Sequence, residues 1–228
     1  MNVALCVIAT RHYRRYLKDL FESATKFFCP EHDVSYVLFS DAWPEDLPGS
    51  RPVHYIPHPH TPWPGPTLYR YHTMLGARPL LERHDYVFYC DADMQFVRPV
   101  SADLFGDRVA VVHFGFCESP RRAFTYETDP ASRACVGPNE GTRYYAGAFQ
   151  GGAAGPYLTA METMRRSIDA DLARGIVAAW HDESHWNRYC IDHPPTLELP
   201  HEYCCPPAWR PETQRIVIVN KNASEVRT

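Results

Sequence analysis

Seven consecutive apolar residues, Val3 to Ala9, give way to a stretch in which Tyr13, Tyr16, Leu17, Leu20, Phe21, Ala24, Phe27 and Phe28 fall on one helical face, followed by a second strand-length run, Val34 to Phe39. Neither run alternates with polar residues, so each reads as a strand buried on both faces, and the helical period between them links the two as a β-α-β unit. Such a unit builds a parallel sheet with a ligand crevice at the carboxyl ends of its strands. At 228 residues the chain has room for one domain with a substantial core.

Beyond this unit, Pro52 to Ile56 reads as a third strand. Five prolines crowd into residues 57–66, an extended loop that makes a candidate rim, before a helix expected from about Thr67 to Leu81. Tyr86 to Cys90 is another buried strand, and it runs directly into Asp91-Ala92-Asp93. Two carboxylates two positions apart at a strand end can share a ligand if the chain bends there, and their mutual repulsion favours a bound cation. Oxygen-only donors suit Mn²⁺ or Mg²⁺ beside diphosphate oxygens. An Asp-rich surface turn is the competing reading of the same tripeptide.

A second dense segment is Trp180-His-Asp-Glu-Ser-His185, after a helix carried by Tyr157, Met161, Met164, Ile168 and Leu172. His181 and His185 have the i, i+4 spacing of helical zinc ligands, but Asp182 stands where the zinc-protease pattern needs Glu. Asp182 and Glu183 also suit the first turn of a helix through Trp186 and Tyr189, where they would cap it and complement its dipole.

Charge and cysteine content narrow the class. With 23 Lys and Arg against 27 Asp and Glu, the net charge of −4 carries no basic excess for nucleic acid. The eight cysteines form no C-x-x-C pair, and the adjacent Cys204-Cys205 has no second cluster to complete a metal site, so reduced structural thiols and a cytoplasmic protein are expected. Val3 to Ala9 is too short for a signal-peptide core and runs into Arg11, His12, Arg14 and Arg15; no signal peptide, membrane anchor or membrane span is expected.

Four blocks in one order resemble glycosyltransferase family 6, which contains the mammalian ABO blood-group transferases and the α-1,3-galactosyltransferase, with bacterial and phage relatives. They are Tyr89-Cys-Asp-Ala-Asp-Met-Gln-Phe96, Arg122 to Glu127, Glu140 to Gly152, and Trp180 to His185 with Asn187. The likeness runs from about Ile8 to Arg227. It implies a chain that is catalytic domain throughout (residues 1–228), of α/β class with the GT-A fold. A Rossmann-like nucleotide-binding half over about residues 1–95 would precede an acceptor-binding and catalytic half over about 96–228 that ends in a lid, within a mixed sheet flanked by helices. A bacterial or phage-type member lacking the mammalian anchor and stem is expected.

The resemblance also implies roles. Asp91 and Asp93 would hold Mn²⁺ or Mg²⁺ on the diphosphate of a UDP-sugar, with Ala92 between them, and Glu183 would face the anomeric carbon. Transfer would retain configuration, through a covalent intermediate or an ion pair. Ile8, Ala9 and Tyr13 match uridine positions, although Tyr13 also fits the helix core. Arg70, Lys221 and Arg227 match donor-site cations, the last two in the lid, whose truncation at Glu225–Thr228 is expected to weaken transfer. Asp182 would bind sugar hydroxyls, and Ala146, Gly147 and Ala148 lie in the segment that chooses between GalNAc and Gal, the small Ala146 leaning towards UDP-GalNAc. His113, Thr125 and Trp180 match acceptor positions. The implied acceptor is an oligosaccharide ending in galactose, such as a fucosylated H-type glycan, joined in α-1,3 linkage. One departure bears on that acceptor: a family Trp-Asp pair is replaced by Cys205-Pro206. The rival classes are a nucleotide-sugar hydrolase or nucleotidyltransferase, and a non-catalytic sugar-binding module.

Overall fold

The strand runs assemble as their burial requires. The computed structural model describes residues 1–219. Strands β1 (Asn2–Ile8), β2 (Asp33–Ser40), β3 (Val53–Pro57) and β4 (Tyr86–Cys90) lie parallel in the spatial order β3-β2-β1-β4. In β1, Val3, Leu5 and Val7 pack into a core on one face with Leu17, Leu20, Phe21 and Ala24 of helix α1 (Leu17–Phe27). Ala4, Cys6 and Ile8 pack into a second core on the other face. That two-sided burial is why the sequence of β1 shows no polar alternation. Leu17, Leu20 and Phe21 are fully buried, each contributing roughly 1.5–3 kcal/mol of transfer free energy.

The expected helix from Tyr13 to Phe28 forms with a different start. Its first turn is 3-10, Arg11–Tyr16, and begins at an Arg11 with φ of 48°, whose N–H is held by the Asp41 carboxylate at 3.1 Å. The single helix expected over 67–81 is instead three short ones, α2 (Gly65–Leu68), α3 (Arg70–Leu75) and α4 (Arg78–Leu81). Gly76 ends α3, and Pro79, with no N–H to donate, sits in the first turn of α4 rather than inside a longer helix.

After β4 comes the short β5 (Met94–Phe96), then β6 (Val109–Val112) and β7 (Tyr145–Ala153). Helices α5 (Ala154–Leu172) and α6 (His181–Asp192) cover the second core, with Tyr157, Met161, Met164, Ile168 and Trp186 among its buried side chains, and β8 (Leu197–Leu199) and β9 (Ile216–Ile218) follow. β7 inserts antiparallel between β4 and β6, and β8 adds parallel to β6, completing a seven-stranded mixed sheet. This layered α/β arrangement is the one expected of a GT-A fold. Gly151 lets β7 close on β4, since a Cβ there would come within 2.5 Å of the Val87 carbonyl. β5 and β9 form a separate two-stranded ribbon, and Val219 N–H donates to the Asp93 carbonyl at 2.7 Å. Among the described residues no helix is long and apolar enough to cross a membrane.

The chain passes from β1 to β2 and β3 on one side, then returns to place β4 on the other side of β1. The switch point therefore lies between the carboxyl ends of β1 and β4, where open α/β sheets carry their ligand crevice.

Candidate active site

A cavity of about 190 Å³ opens at that switch point. Ile8 from β1, Tyr89 from β4 and Asp91, Ala92 and Asp93 just beyond the end of β4 line it. Thr10, Arg11 and Tyr13 close one side, and His60, Trp63, Pro66 and Thr67 close the other. The proline-rich segment thus makes a wall of the cavity. It is tied across the opening by a 2.9 Å hydrogen bond between Thr10 Oγ1 and His60 Nδ1.

Strand alternation aims the first carboxylate. Tyr89 and Asp91 lie on the same side of the chain, and the Tyr89 hydroxyl donates to Asp91 Oδ1 at 2.7 Å, while Asp91 N–H continues the β4–β7 ladder to the Ala148 carbonyl at 2.9 Å. Asp91 Oδ1 also takes Arg70 Nη2 at 3.2 Å. Arg70, 3% exposed, opens α3 below the cavity; its Nη1 lies 2.8 Å from Asp182 Oδ2 and also donates to the Gly147 carbonyl. The guanidinium lies 4.0 Å from the centre of the Tyr89 ring.

Asp182 and Glu183 leave the first turn of α6 for these partners and do not cap it. The helix starts at His181, a non-glycine residue with φ of 50°, whose Nδ1 sits 3.1 Å from Thr67 Oγ1. No side chain caps the start of α6; Ser184 Oγ accepts the Trp180 N–H at 3.0 Å. Glu183 Oε1 accepts the Tyr144 hydroxyl at 3.0 Å, and Oε2 accepts the Gly147 N–H at 2.7 Å. A Cβ at Gly147 would stand 3.3 Å from both Arg70 Nη1 and Glu183 Oε2, so glycine permits this approach. Asn187, 1% exposed, splices α6 to β7: its amide takes the Tyr145 N–H at 2.8 Å and donates to the carbonyls of Tyr145 and Glu183, both at 2.9 Å.

Burial, with Asp91 and Glu183 nearby, pushes Asp182 up to about 7 against the pull of Arg70. Burial also raises Glu183, opposed by the Gly147 and Tyr144 hydrogen bonds. Arg70 stays charged, since Asp182, Tyr89 and Asp91 more than offset its desolvation. Beside this cluster the rings of His113, Phe116, Phe124 and Tyr126 surround Tyr144, with centroids 4.8–6.1 Å from it. Burial lowers His113 to about 4, which keeps its imidazole neutral.

The model of glycosyltransferase family 6 matches residues 1–228. The chain belongs to that family. It is 34% identical over 210 residues to the rat "Histo-blood group ABO system transferase 2", covering 89% of this chain and 63% of that protein. The mouse "Globoside alpha-1,3-N-acetylgalactosaminyltransferase 1" is 34% identical over 243 residues, covering 100% of this chain and 69% of that protein. The "O-antigen biosynthesis glycosyltransferase WbnI" of Escherichia coli is 26% identical over 199 residues, covering 86% of this chain and 85% of that protein. The chain spans 60–63% of the length of several mammalian relatives, including the dog globoside enzyme.

Among the family positions, Asp91, Asp93, Ala92, Ile8 and Tyr13 meet at the cavity. Tyr13 serves both readings, since it also packs against the α1 core. Arg70, Asp182, Gly147 and Glu183 meet just beneath. Ala9 does not line the cavity; it is fully buried, with its N–H on the Phe39 carbonyl at 2.9 Å. Ala146 is 2% exposed in the core and Ala148 is partly buried beside it, so neither lines the cavity. His113 edges onto Tyr144, Thr125 is within hydrogen-bonding reach of its hydroxyl, and Trp180 is 50% exposed. Lys221, Arg227 and the lid lie outside the described residues.

Sequence reasoning gave no role to Tyr144, Tyr89, Asn187, Thr10 or His60. Three of these stand inside or beside the matched blocks, but nothing local distinguishes a tyrosine that orients a carboxylate from one that fills a core. The zinc reading fails on direction: His181 turns to Thr67 and Trp63, whereas His185 Nε2 lies 3.7 Å from Asp171. All eight cysteines are free. Asp91 and Asp93 could hold a divalent cation: both are oxygen donors, both line the cavity, and Asp91 is 31% exposed towards it. Among the described residues no set of three His, Cys, Asp or Glu gathers around a metal position. A pair without a protein cage fits a cation whose remaining ligands are water and substrate phosphate, the mode in which Mg²⁺ is commonly held.

Proposed function

We propose that this chain is a metal-assisted, configuration-retaining glycosyltransferase that moves GalNAc or Gal from a UDP-sugar, in α-1,3 linkage, onto a galactoside acceptor. The observation that carries the reading is the meeting of Glu183 and Asp182 with Arg70 and Asp91 directly beneath a switch-point cavity of about 190 Å³. The names of the mouse and human globoside relatives, both N-acetylgalactosaminyltransferases, support the donor class. The small Ala146 leaves room for a 2-acetamido group and leans towards UDP-GalNAc, while Ala148, in place of glycine, takes back part of that room.

In this mechanism the nucleotide occupies the cavity against Ile8 and Tyr13, and its diphosphate reaches Asp91 and Asp93, which would hold Mn²⁺ or Mg²⁺. A bound cation supplies charge neutralisation to the departing UDP. Arg70 keeps Asp91 and Asp182 in place, and Asp182 faces the sugar hydroxyls. The anomeric C–O bond breaks, UDP takes the electron pair, and Glu183 faces the positive charge that develops on the sugar. The acceptor hydroxyl attacks on the face that UDP leaves, and its proton passes to a leaving phosphate oxygen. Both Glu183 oxygens already accept a hydrogen bond, at 3.0 and 2.7 Å. That occupancy favours electrostatic stabilisation over formation of a bond to the sugar. A covalent glycosyl adduct on Glu183, seen by mass spectrometry of trapped protein, would reverse this preference.

The deciding experiment incubates the protein with UDP-GalNAc or UDP-Gal, Mn²⁺ and a β-galactoside, with and without chelator. Cation-dependent release of UDP together with an α-1,3-linked product is expected. UDP release that ignores the acceptor points to a hydrolase, sugar-1-phosphate to pyrophosphate chemistry, and binding without turnover to a sugar-binding module; full activity in excess chelator sinks the metal assignment.

A further inference from the structure

Strand β7 leaves its ladder beside the site. Ala110 of β6 pairs with Gln150, but the next residue, Val111, pairs with Ala146, so Gly147, Ala148 and Phe149 bow away from β6. The bow rests on β4 and its end: Phe149 pairs with Cys90, and the Ala148 carbonyl takes the Asp91 N–H at 2.9 Å. The Gly147 N–H turns instead to Glu183 Oε2 at 2.7 Å. One bulge therefore contacts both an acid of the cavity and the acid that faces the anomeric carbon in the proposed reaction.

Gln150 closes this bulge. Its side chain is fully buried, and Oε1 accepts the hydroxyls of Tyr71 from α3 at 3.2 Å and Tyr157 from α5 at 3.3 Å. Nε2 donates back to the Gly147 carbonyl at 3.0 Å. The same carbonyl takes Arg70 Nη1, so both of its lone pairs are used. An apolar side chain would fill this core without desolvating an amide, and so would cost less. What the amide adds is direction: two tyrosines fix its oxygen, and its nitrogen in turn fixes the Gly147 carbonyl.

We propose that Gln150 is a positioning residue for transfer: by holding the Gly147 carbonyl it keeps the 147–149 bulge in the shape that presents the Gly147 N–H to Glu183. The inference rests on the proposed transferase reading. Gln150 lies outside the lining of the cavity, so it reaches the reaction through Gly147. Without the amide, Gly147 has no β6 partner and is left to Arg70, which also serves Asp91 and Asp182. A displaced Gly147 N–H would let the Glu183 carboxylate swing from the developing charge, and small displacements of a catalytic group are costly in rate.

The test measures transfer kinetics and UDP affinity for the wild type, Gln150→Met and Gln150→Glu, and for each substitution combined with Glu183→Gln. Gln150→Met keeps the volume and removes the amide; Gln150→Glu keeps an acceptor for Tyr71 and Tyr157 but sets an oxygen against the Gly147 carbonyl. Both are expected to lower kcat by about 5- to 30-fold, the range of one lost buried hydrogen bond. Kd for UDP and KM for both substrates should stay within about twofold of wild type. On the Glu183→Gln background the same substitutions should cost less than about twofold more, since the charge they position is gone. Tyr71→Phe with Tyr157→Phe, which keeps both rings and frees the amide, should show the same split with a fall of about 3- to 5-fold in kcat. An unchanged kcat in the variants that fold, a loss carried by KM or UDP affinity, or an equal loss with and without the Glu183 carboxylate overturns the positioning role and leaves the transferase reading intact. A wild type that transfers no sugar to any galactoside overturns the transferase reading, and the positioning role with it.

Discussion

On one wall of the site a single buried guanidinium holds two carboxylates, Asp182 buried and Asp91 open to the cavity; on the other, the rings of His113, Phe116, Phe124 and Tyr126 gather around Tyr144, with the His113 imidazole kept neutral. The first wall is built from charges that tolerate burial only because each has a partner, so removing one exposes the desolvation cost of the others. The second is built from areas and ring contacts, so it should weaken in proportion to what is removed. The two meet at Glu183, which takes one hydrogen bond from Tyr144 and one from Gly147 of the strand that Arg70 grips.

The largest effect expected from breaking the charged wall is Arg70→Met, which leaves Asp91 and Asp182 without their shared cation. A loss of about 3–5 kcal/mol is expected from denaturant midpoints. Adding Asp182→Asn should return part of it, and a strictly additive double variant would show that the two do not act as a unit.

Glu183→Gln comes next. Gln keeps the size of the side chain, its oxygen can still accept the Gly147 N–H and its amide can donate to the Tyr144 hydroxyl, so the variant should fold with near wild-type stability, yet lose roughly 10²- to 10⁴-fold in kcat for transfer. Retained turnover would remove Glu183 from the reaction.

Behind both walls, His185 is 3% exposed, 3.7 Å from Asp171, and lowered from 6.5 to about 4 by burial. Between those values the unfolded chain binds a proton that the folded chain does not, so stability is complete above pH 6.5 and is lost as pH falls towards 4. The full shift corresponds to roughly 3 kcal/mol, and His185→Gln should flatten that part of the Tm-against-pH curve. An unchanged acid limb would place the titration elsewhere.

The smallest effect is expected on the aromatic wall. Tyr144→Phe keeps the ring and removes its hydroxyl, and with it the bond to Glu183 and the contact with Thr125, for a fall of about 2- to 10-fold in kcat. A loss as large as that of Glu183→Gln would mean that the hydroxyl takes part in the chemistry and does not only orient the carboxylate.

How far the site was legible depended on range. β1, β2 and β4 were readable because unbroken apolar runs have few uses other than a sheet covered on both faces. The 67–81 helix was misread because Gly76 and Pro79 break it at positions where the helical period alone looks continuous. Asp182 and Glu183 looked equally suited to capping α6, and Ala9 to lining the nucleotide cavity. Packing decided otherwise in each case: both acids turn to buried partners and leave the start of α6 without a side-chain cap, and Ala9 faces the core.

From the sequence alone came the elements, the family, and a cation-competent acid pair at a strand end, because each depends on neighbouring residues or on motifs that stay contiguous. Only the tertiary structure decided that Arg70 from one half of the chain and Asp182 from the other form one ion pair, and that Asn187 splices α6 to β7. Those relations are contacts between segments far apart along the chain, and local periodicity carries no record of which distant partner a side chain will meet.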